Sequence, residues 1–340
     1  MLSLPHEVQL DVLKCFNFDQ LFYFKLTNFY FYNLIKKYEG ELCFRMKFNK
    51  FFFINANYLD SYEINEPQSG VFEFTINEHL KEKWQAAIDK SIPLFLSNYE
   101  PERNFFINIE RTTYLVDRKP FYLLKLPAVP KNIEEMIILR CWLEQLSNCV
   151  FVDAFFDISV FNPELINILF DNDQTIPLQL NILEATLFLS NKTFKNILKF
   201  SLNHLSISKF LNINLNEVDI TEQLTNILFN ILTKRGNKFP KIRLGRFREI
   251  NLYNSIIQYI ETSRDCSKMV PDIVLNFAYS ASFELNEKAE NIEIKQLNDV
   301  KYTEYQIANI FNPKVRFEFL IEKKNGVGST FHVQIRKMKE

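Results

Sequence analysis

A step of about 30 residues recurs through the C-terminal two-thirds of this 340-residue chain. The tripeptide Asn-Ile-Leu begins at Asn167, Asn196 and Asn226, and Pro240 and Pro271, each followed by an alternating apolar run, are separated by nearly the same step. A unit of this length cannot bury its own apolar face, so we expect successive units to stack on one another. The repeat therefore predicts an α/β fold in which residues 131–340 form a solenoid.

Each repeat is predicted to hold one helix and one short strand. Leu224, Leu228 and Ile231 recur at helical spacing, whereas the runs KIRLGRF and DIVLNF alternate as strands do. In length and order these units resemble leucine-rich repeats, although they lack the Asn and Leu ladder that follows the strand in that family. The predicted architecture is thus a helix-strand repeat solenoid resembling leucine-rich repeats.

The segment before the repeats, residues 45–130, combines helix and strand signals. Asn77 is a predicted cap for a helix through EHLKEKWQAAIDK, FFINIER and FYLLKL alternate like strands, and PAVP marks a linker. At the other end of the chain, alternating runs on both sides of Asn325-Gly326 predict a hairpin. We therefore divide the chain into residues 1–44, 45–130 and 131–340.

The first 44 residues are too apolar for a small helical unit that stands alone. Pro5 suits the first position of a helix, Asn17 and Gln20 resemble a capping box, and Asn28 can cap a third helix. Aromatic residues between 22 and 32 surround the second and third helices on all sides, and a three-helix unit of this size cannot bury them internally. Another protein, or another part of this chain, is expected to cover them.

These residues carry a resemblance to a known family. The pattern Leu4-Pro5-x-Glu7-Val8, followed by Val12-Leu13, Phe16, Phe18-Asp19, Leu21 and Leu34-Ile35, resembles the F-box, a three-helix module at the N-terminus of many ubiquitin-ligase substrate receptors. Phe31 and Thr27 stand where that family often has Trp and Val. The resemblance implies that the module docks on a Skp adaptor protein. The adaptor-binding residues that it implies are Leu4, Pro5, Val8, Val12, Leu13, Leu21, Phe31 and Leu34.

Charge and cysteine usage argue against several kinds of partner. With 40 Lys and Arg against 41 Asp and Glu, the net charge is −1, which provides no overall field for nucleic acid or an anionic membrane. The five cysteines form no CxxC pair, which indicates reduced thiols, and no apolar run is long enough for a membrane span. We expect a cytoplasmic or nuclear protein that binds neither nucleic acid nor membrane.

The sequence carries no pattern typical of catalysis or metal binding. Its four histidines are isolated from one another, and there is no Gly-x-Ser-x-Gly sequence. GVGST at 326–330 lacks the Lys-Ser/Thr ending of a phosphate loop and falls in the predicted hairpin turn. We therefore predict no catalytic residue, no metal, no cofactor and no enzymatic activity.

Strand alternation predicts which side chains of the last two repeats face outward. In KIRLGRF, Ile242 and Leu244 are expected in the core, with Lys241 and Arg243 outside. In DIVLNF, the core positions are Ile273 and Leu275, and the outward positions are Asp272 and Val274.

A basic run, KRGNKFPKIRLGRFR at 234–248, holds seven Lys or Arg and no carboxylate. A solvated face, an acidic protein partner and nucleic acid are the alternatives, and the near-zero net charge weakens the last. Arg is favoured at interfaces, and charged faces select partners by complementarity. The residues predicted to bind an acidic protein target are Lys241, Arg243, Arg246 and Arg248.

Two functions remain open. In the first, the chain is the substrate-recognition subunit of a Skp-cullin-F-box type ubiquitin ligase, and the solenoid binds the protein target. In the second, it is a protein-interaction scaffold unconnected to ubiquitination, and its first helices pack on its own later residues. Burial of the apolar faces of residues 4–44 against residues beyond 50 would favour the second function.

Overall fold

The structure of the chain, a computed structural model, forms two compact units. The first comprises Met1–Val152, Ser159–Asn181 and Lys199–Leu205, and the second comprises Asp153–Ile158, Ile182–Leu198 and Ser206–Glu340. The residues that the structure describes are 4–16, 21, 24, 27–38, 47–55, 64–65, 76–97, 105–110, 121–171, 178–247, 250–277, 285–324 and 331–338.

The first unit opens with two described helices, α1 (His6–Lys14) and α2 (Phe29–Lys37). Pro5 takes the N-cap position of α1. Asn28 caps α2, because its side-chain oxygen accepts a hydrogen bond from the backbone N–H of Phe31 at 3.0 Å. The predicted start of the third helix is therefore confirmed.

In the rest of the first unit, the described residues form strands and three helices. Its elements are β1 (Lys47–Asn55), β2 (Ile64–Asn65), α3 (Glu78–Asp89), β3 (Phe95–Ser97), β4 (Phe105–Glu110), β5 (Phe121–Leu124), α4 (Ile133–Ser147), β7 (Ser159–Phe161) and α5 (Pro163–Leu169). β1 pairs antiparallel with β4, β4 pairs antiparallel with β5, and β2 runs parallel to β5. β3 and β7 form a separate antiparallel pair.

The predicted helix after Asn77 is confirmed, and it anchors the core of the first unit. The Asn77 side chain accepts a hydrogen bond from the backbone N–H of Leu80 at 2.8 Å. Trp84 is fully buried, and its indole N–H donates to the carbonyl of Ile168 at 3.2 Å. A buried indole needs such a partner, so this bond ties α3 to α5.

Four elements contain residues of both units: β6 (Val150–Phe156), β8 (Leu180–Ser190), α6 (Phe194–His204) and β9 (Leu205–Glu217). The second unit continues with helices alternating with strands and then with strands alone. These elements are α7 (Glu222–Lys234), a 3-10 turn (Gly236–Lys238), β10 (Lys241–Phe247), α8 (Ile250–Thr262), β11 (Asp272–Phe277), β12 (Glu290–Leu297), β13 (Val300–Ala308), β14 (Arg316–Lys324) and β15 (Phe331–Lys337).

The sheet of the second unit combines parallel and antiparallel strand pairs. Its described strands follow the order β12-β13-β14-β15-β11-β10-β9-β8. β10 runs parallel to both β9 and β11, whereas β11 pairs antiparallel with β15, and β15, β14, β13 and β12 form an antiparallel series. The strands of the predicted C-terminal hairpin are confirmed by the pairs Phe319↔Ile335 and Ile321↔Val333.

The predicted fold class, a three-helix unit followed by a helix-strand repeat solenoid, is wrong. A solenoid of one repeated unit would stack its strands in parallel, whereas the described strands form a mixed and largely antiparallel sheet in both units. The physical reason lies in the connections. Parallel neighbours need a crossover such as a helix, whereas a tight turn at residues 298–299 joins β12 directly to β13. The step of about 30 residues reflects the alternation of helices with strands along the chain. This alternation ends at β11.

Some predictions fall on residues that the structure does not describe. The capping pair Asn17 and Gln20, the turn Asn325-Gly326 and Arg248 lie outside the described residues. Leu21 and Phe24, which belong to the predicted second helix, have helical backbone. Among the described helices, none is long and apolar enough to cross a membrane.

Candidate functional site

The N-terminal helices enclose a small core of their own. Its buried members are Leu13, Leu21, Phe31, Leu34 and Ile35. Leu10, Phe16, Phe24 and Tyr38 pack against them, so that within the described part of the chain every member lies between residues 10 and 38. Among the described residues, this core takes no side chain from beyond residue 38, and we call residues 4–38 the N-terminal unit.

The predicted adaptor-binding residues divide between the core and the surface of the N-terminal unit. Leu13, Leu21, Phe31 and Leu34 are buried in its core, and Val12 is half-buried. A unit this small needs its largest apolar side chains to hold itself together. These four residues therefore support the unit from inside, and their contact with an adaptor stays a prediction.

The exposed apolar side chains of this unit lie on Leu4, Pro5, Val8, Phe29 and Tyr30, which we call the N-terminal apolar face. The four largest of them keep between 38% and 57% of their surface exposed. Leu4 precedes α1, and Val8 lies in its first turn. The sequence analysis did not name Phe29 and Tyr30 as members of an exposed apolar face. Their signal was available, since they take positions of α2 that its buried Phe31, Leu34 and Ile35 leave outside.

Gln9 fixes the arrangement of this face. Its side chain is almost fully buried, donates from Nε2 to the carbonyl of Leu4 at 2.7 Å, and accepts from the Tyr30 hydroxyl at Oε1, also at 2.7 Å. Both ends of the amide are thus satisfied, one from each side of the face. The segment before α1 and the start of α2 are held together before any partner binds.

The predicted target-binding residues lie on β10 in the second unit, but Lys241 is not a free cation there. Its Nζ lies 3.0 Å from Asp272 Oδ2, and the same carboxylate accepts two hydrogen bonds from Gln334 Nε2. Arg336 also approaches Asp272, at 4.0 Å. Asp272 is therefore the carboxylate that pairs with Lys241 at this end of the basic zone.

Arg243 carries the most unusual environment among the described residues of this zone. Its guanidinium lies 5.5 Å from the centre of the Phe210 ring, and its Nε is out of contact with water without a hydrogen-bond partner in the described part of the chain. Stacking on an aromatic face favours the cation. Arg243 is half-buried, and its Nε donor is closed to solvent.

Arg246 extends the positive charge along the same strand. It is exposed, has a left-handed backbone with φ 57°, and donates from Nη1 to Asn216 Oδ1 at 2.8 Å. The register of β10 against β11 shifts between Leu244 and Phe247, which takes Arg246 out of the simple alternation. Arg243 and Arg246, whose positions the structure describes, therefore form what we call the arginine pair.

Most of the predicted strand orientations are confirmed, with one exception. Ile242, Leu244, Ile273 and Leu275 are fully buried, whereas Val274, predicted to face outward, is buried as well. In the sheet register Val274 stands between Arg243 on β10 and Gln334 on β15. These long neighbouring side chains cover the small one.

A neutral histidine adjoins the arginine pair. His332 Nδ1 lies 2.6 Å from Asn276 Oδ1. Burial lowers the pKa of His332, the nearby charges of Arg243 and Lys241 lower it further, and Glu322 opposes them. The surroundings of Arg243 therefore combine charged side chains of both signs with uncharged hydrogen-bonding groups. Among the described residues, no group of three His, Cys, Asp or Glu side chains could hold a metal ion.

Comparison with known proteins yields one match. A family model described as a domain of unknown function (DUF8381) matches residues 65–216. No curated protein and no solved structure matches the chain. The matched segment begins after the N-terminal unit and ends before the arginine pair, so it assigns a function to neither surface.

Proposed function

We propose that the chain is the substrate-recognition subunit of a Skp-cullin-F-box type ubiquitin ligase. The N-terminal apolar face would bind the Skp adaptor, and the strand face around the arginine pair would bind the protein target. The observation that carries the proposal is an N-terminal unit with a core of its own that still exposes Leu4, Val8, Phe29 and Tyr30. The resemblance of residues 4–44 to the F-box gives that exposed face its partner.

The N-terminal core bears on the choice between the two functions. A helical cap on this chain's own later residues would share its core with them, and none of the described members of the N-terminal core lies beyond residue 38. Apolar side chains that folding has not covered, grouped at one end of two helices, are typical of a protein interface. The scaffold alternative lacks a comparable supporting observation.

The adaptor contact is tested by changing the exposed part of the face. Replacing Leu4 and Pro5 together with Ala is expected to weaken binding to a Skp adaptor by about 2 kcal/mol, roughly thirtyfold in dissociation constant, because both exposed residues belong to the face. A control is Ile310→Ala with Phe311→Ala, two exposed apolar residues of the second unit. Equal adaptor binding by the wild type and the Leu4/Pro5 variant would refute the proposal.

The target contact is tested separately. Because Lys241 is paired with Asp272, Arg243 and Arg246 supply the available charge, and a target with acidic side chains fits them. Replacing both with Glu is expected to slow target association, most strongly at low salt, while adaptor binding stays unchanged. Lys301→Glu with Lys314→Glu is the matched control, since it changes the net charge equally at exposed positions. The targets are identified by co-purification with the wild-type chain, and equal recovery with the arginine variant would place the target site elsewhere.

In this role the protein carries out no chemistry and needs no cofactor. Its contribution is to hold a target near the ubiquitin-conjugating enzyme, which raises the effective concentration of the target's lysines. Such a ligase works in the cytoplasm or nucleus, where cysteines are kept reduced. A chain that recovered targets but no adaptor would instead be a scaffold unconnected to ubiquitination.

A further inference from the structure

Strand β12 is an exposed edge of the second unit. It stands at the end of the strand order, and β13 is its neighbour among the described strands. All eight of its residues are exposed, and its three large apolar side chains keep 45% to 63% of their surface in water. These side chains belong to Ile292, Ile294 and Leu297. An edge of this kind offers a row of backbone N–H and C=O groups to another strand.

The part of β12 that can accept a strand is short and well defined. Asn291 has a left-handed backbone with φ 54°, and the pairing with β13 shifts register between Glu290 and Glu293. Asn298, with φ 52°, begins the turn into β13. Between these limits, residues 293 to 297 pair regularly with β13. The outer side of this stretch is therefore straight enough to continue the sheet.

The charges on this stretch are complementary to a second copy of it. Glu293 and Lys295 lie on one face of the strand, 2.8 Å apart, and Glu293 also stands opposite Glu304 of β13. When two identical strands pair antiparallel about a two-fold axis, residues on the same face must oppose each other. An axis at Glu293 would bring two carboxylates together, and an axis at Lys295 would bring two ammonium groups together. An axis at Ile294 places Glu293 of each copy opposite Lys295 of the other.

We propose that β12 pairs with β12 of a second copy of this chain, antiparallel and centred on Ile294. The two copies then share one continuous sheet across the two-fold axis. Ile294 packs against its own counterpart, and Glu293 and Lys295 form two ion pairs between the copies. Each Glu293 then lies near two lysines, its own Lys295 and Lys295 of the other copy. These two cations offset the negative charge of Glu304, which stands opposite Glu293 on β13. Charge complementarity thus selects a single register and a single occupant for this edge.

The test uses the full chain with two single charge reversals, E293K and K295E. In either variant alone, both ion pairs between copies become like-charge pairs. In an equimolar mixture, one variant supplies the lysines and the other the glutamates, so both pairs are restored in the mixed dimer. No other occupant of the edge predicts this behaviour.

The measurement is sedimentation equilibrium of the wild type, each variant and the mixture. The wild type is expected to dimerise at concentrations of about 100 μM, as a small interface allows. Each variant alone should raise the dissociation constant by about tenfold or more, and the mixture should recover the wild-type value. Recovery also shows that both variants are folded. A wild type that stays monomeric, as it would if another polypeptide used this edge, overturns the proposal, and so does a mixture no tighter than its components.

Discussion

His204 is a titratable side chain that the fold keeps almost entirely from water. Its Nδ1 lies 3.1 Å from the carbonyl of Leu178, and its ring stacks on Phe200 with centroids 5.6 Å apart. Nε2 is buried without a hydrogen-bond partner among the described residues. Burial lowers the pKa of His204, since the charged form has lost its water.

This burial makes stability depend on pH. Below the ordinary histidine pKa of 6.5 the unfolded chain binds a proton that the folded chain takes up only at lower pH. The free energy of unfolding should therefore fall as the pH is lowered from 6.5 toward the folded-state value. His204→Gln keeps a donor for Leu178 and removes the titration, so its urea unfolding, measured above and below pH 6.5, should depend less on pH. If the free energy of unfolding depended on pH equally in His204→Gln and in the wild type, this account would be wrong. His332→Gln makes the same change at the other histidine whose pKa is lowered and serves as a comparison.

Single residues also show which features could be predicted from the sequence and which could not. Leu4, Pro5 and Val8 were predicted as contact residues, and the structure exposes them. The arrangement through Gln9 was not predictable, because Tyr30 and Gln9 are 21 residues apart and helical spacing relates only residues of the same helix. The burial of Val274 was missed for a similar reason, since its covering neighbours come from other strands.

At the scale of elements, the end of α8 depends on a loop that follows β13. Asn309 is buried, and its Nδ2 donates to the carbonyls of Ile260 and Ser263 at 2.7 and 2.8 Å. Its Oδ1 accepts from the backbone N–H groups of Phe311 and Asn312, both at 2.9 Å. One side chain thus satisfies the last carbonyls of a helix and shapes a loop.

Removing this side chain should therefore destabilise the second unit strongly. Asn309→Ala leaves two carbonyls and two N–H groups without their partner, and the expected loss in the free energy of unfolding is about 2–4 kcal/mol. Asn312→Ala is the control, because Asn312 is exposed and its side chain makes a single 3.3 Å bond to the backbone of Lys314. Denaturant unfolding of both variants decides the matter, and similar losses would show that the bonds of Asn309 contribute little.

Elements were predictable from the sequence to the extent that they are local. Asn28 and Asn77 marked helix starts, and the alternation of Ile242 with Leu244 and of Ile273 with Leu275 marked buried strands. Alternation tells that a segment is a strand but not which strand it pairs with. The neighbours of β11, β10 in parallel and β15 antiparallel, are far apart in sequence, so the mixed sheet could not be read from periodicity.

At the scale of the whole molecule, the N-terminal unit is predicted to unfold without the rest of the chain. Leu13 is fully buried in its core, and Leu13→Ala should cost that unit about 2–5 kcal/mol. The two tryptophans, Trp84 and Trp142, lie outside the unit and report on other residues. We expect Leu13→Ala to abolish adaptor binding and to leave the tryptophan fluorescence transition in urea unchanged.

The control for this experiment is Leu143→Ala. Leu143 is fully buried in α4, next to Trp142 in sequence, so its loss should shift the fluorescence transition and spare adaptor binding. A shift of the fluorescence transition in Leu13→Ala as large as that in Leu143→Ala would show that the N-terminal helices share a core with later residues. That result would favour the scaffold alternative.

The position of β15 has a consequence for synthesis of the chain on the ribosome. Residues 331–337 form the last described strand, yet β15 lies between β11 and β14 and pairs with both. Until these residues leave the exit tunnel, both neighbours present open edges, rich in apolar side chains, to the surrounding solution. The nascent second unit therefore passes through a stage with two unpaired strand edges, and a premature stop codon before residue 331 would split its sheet instead of shortening it.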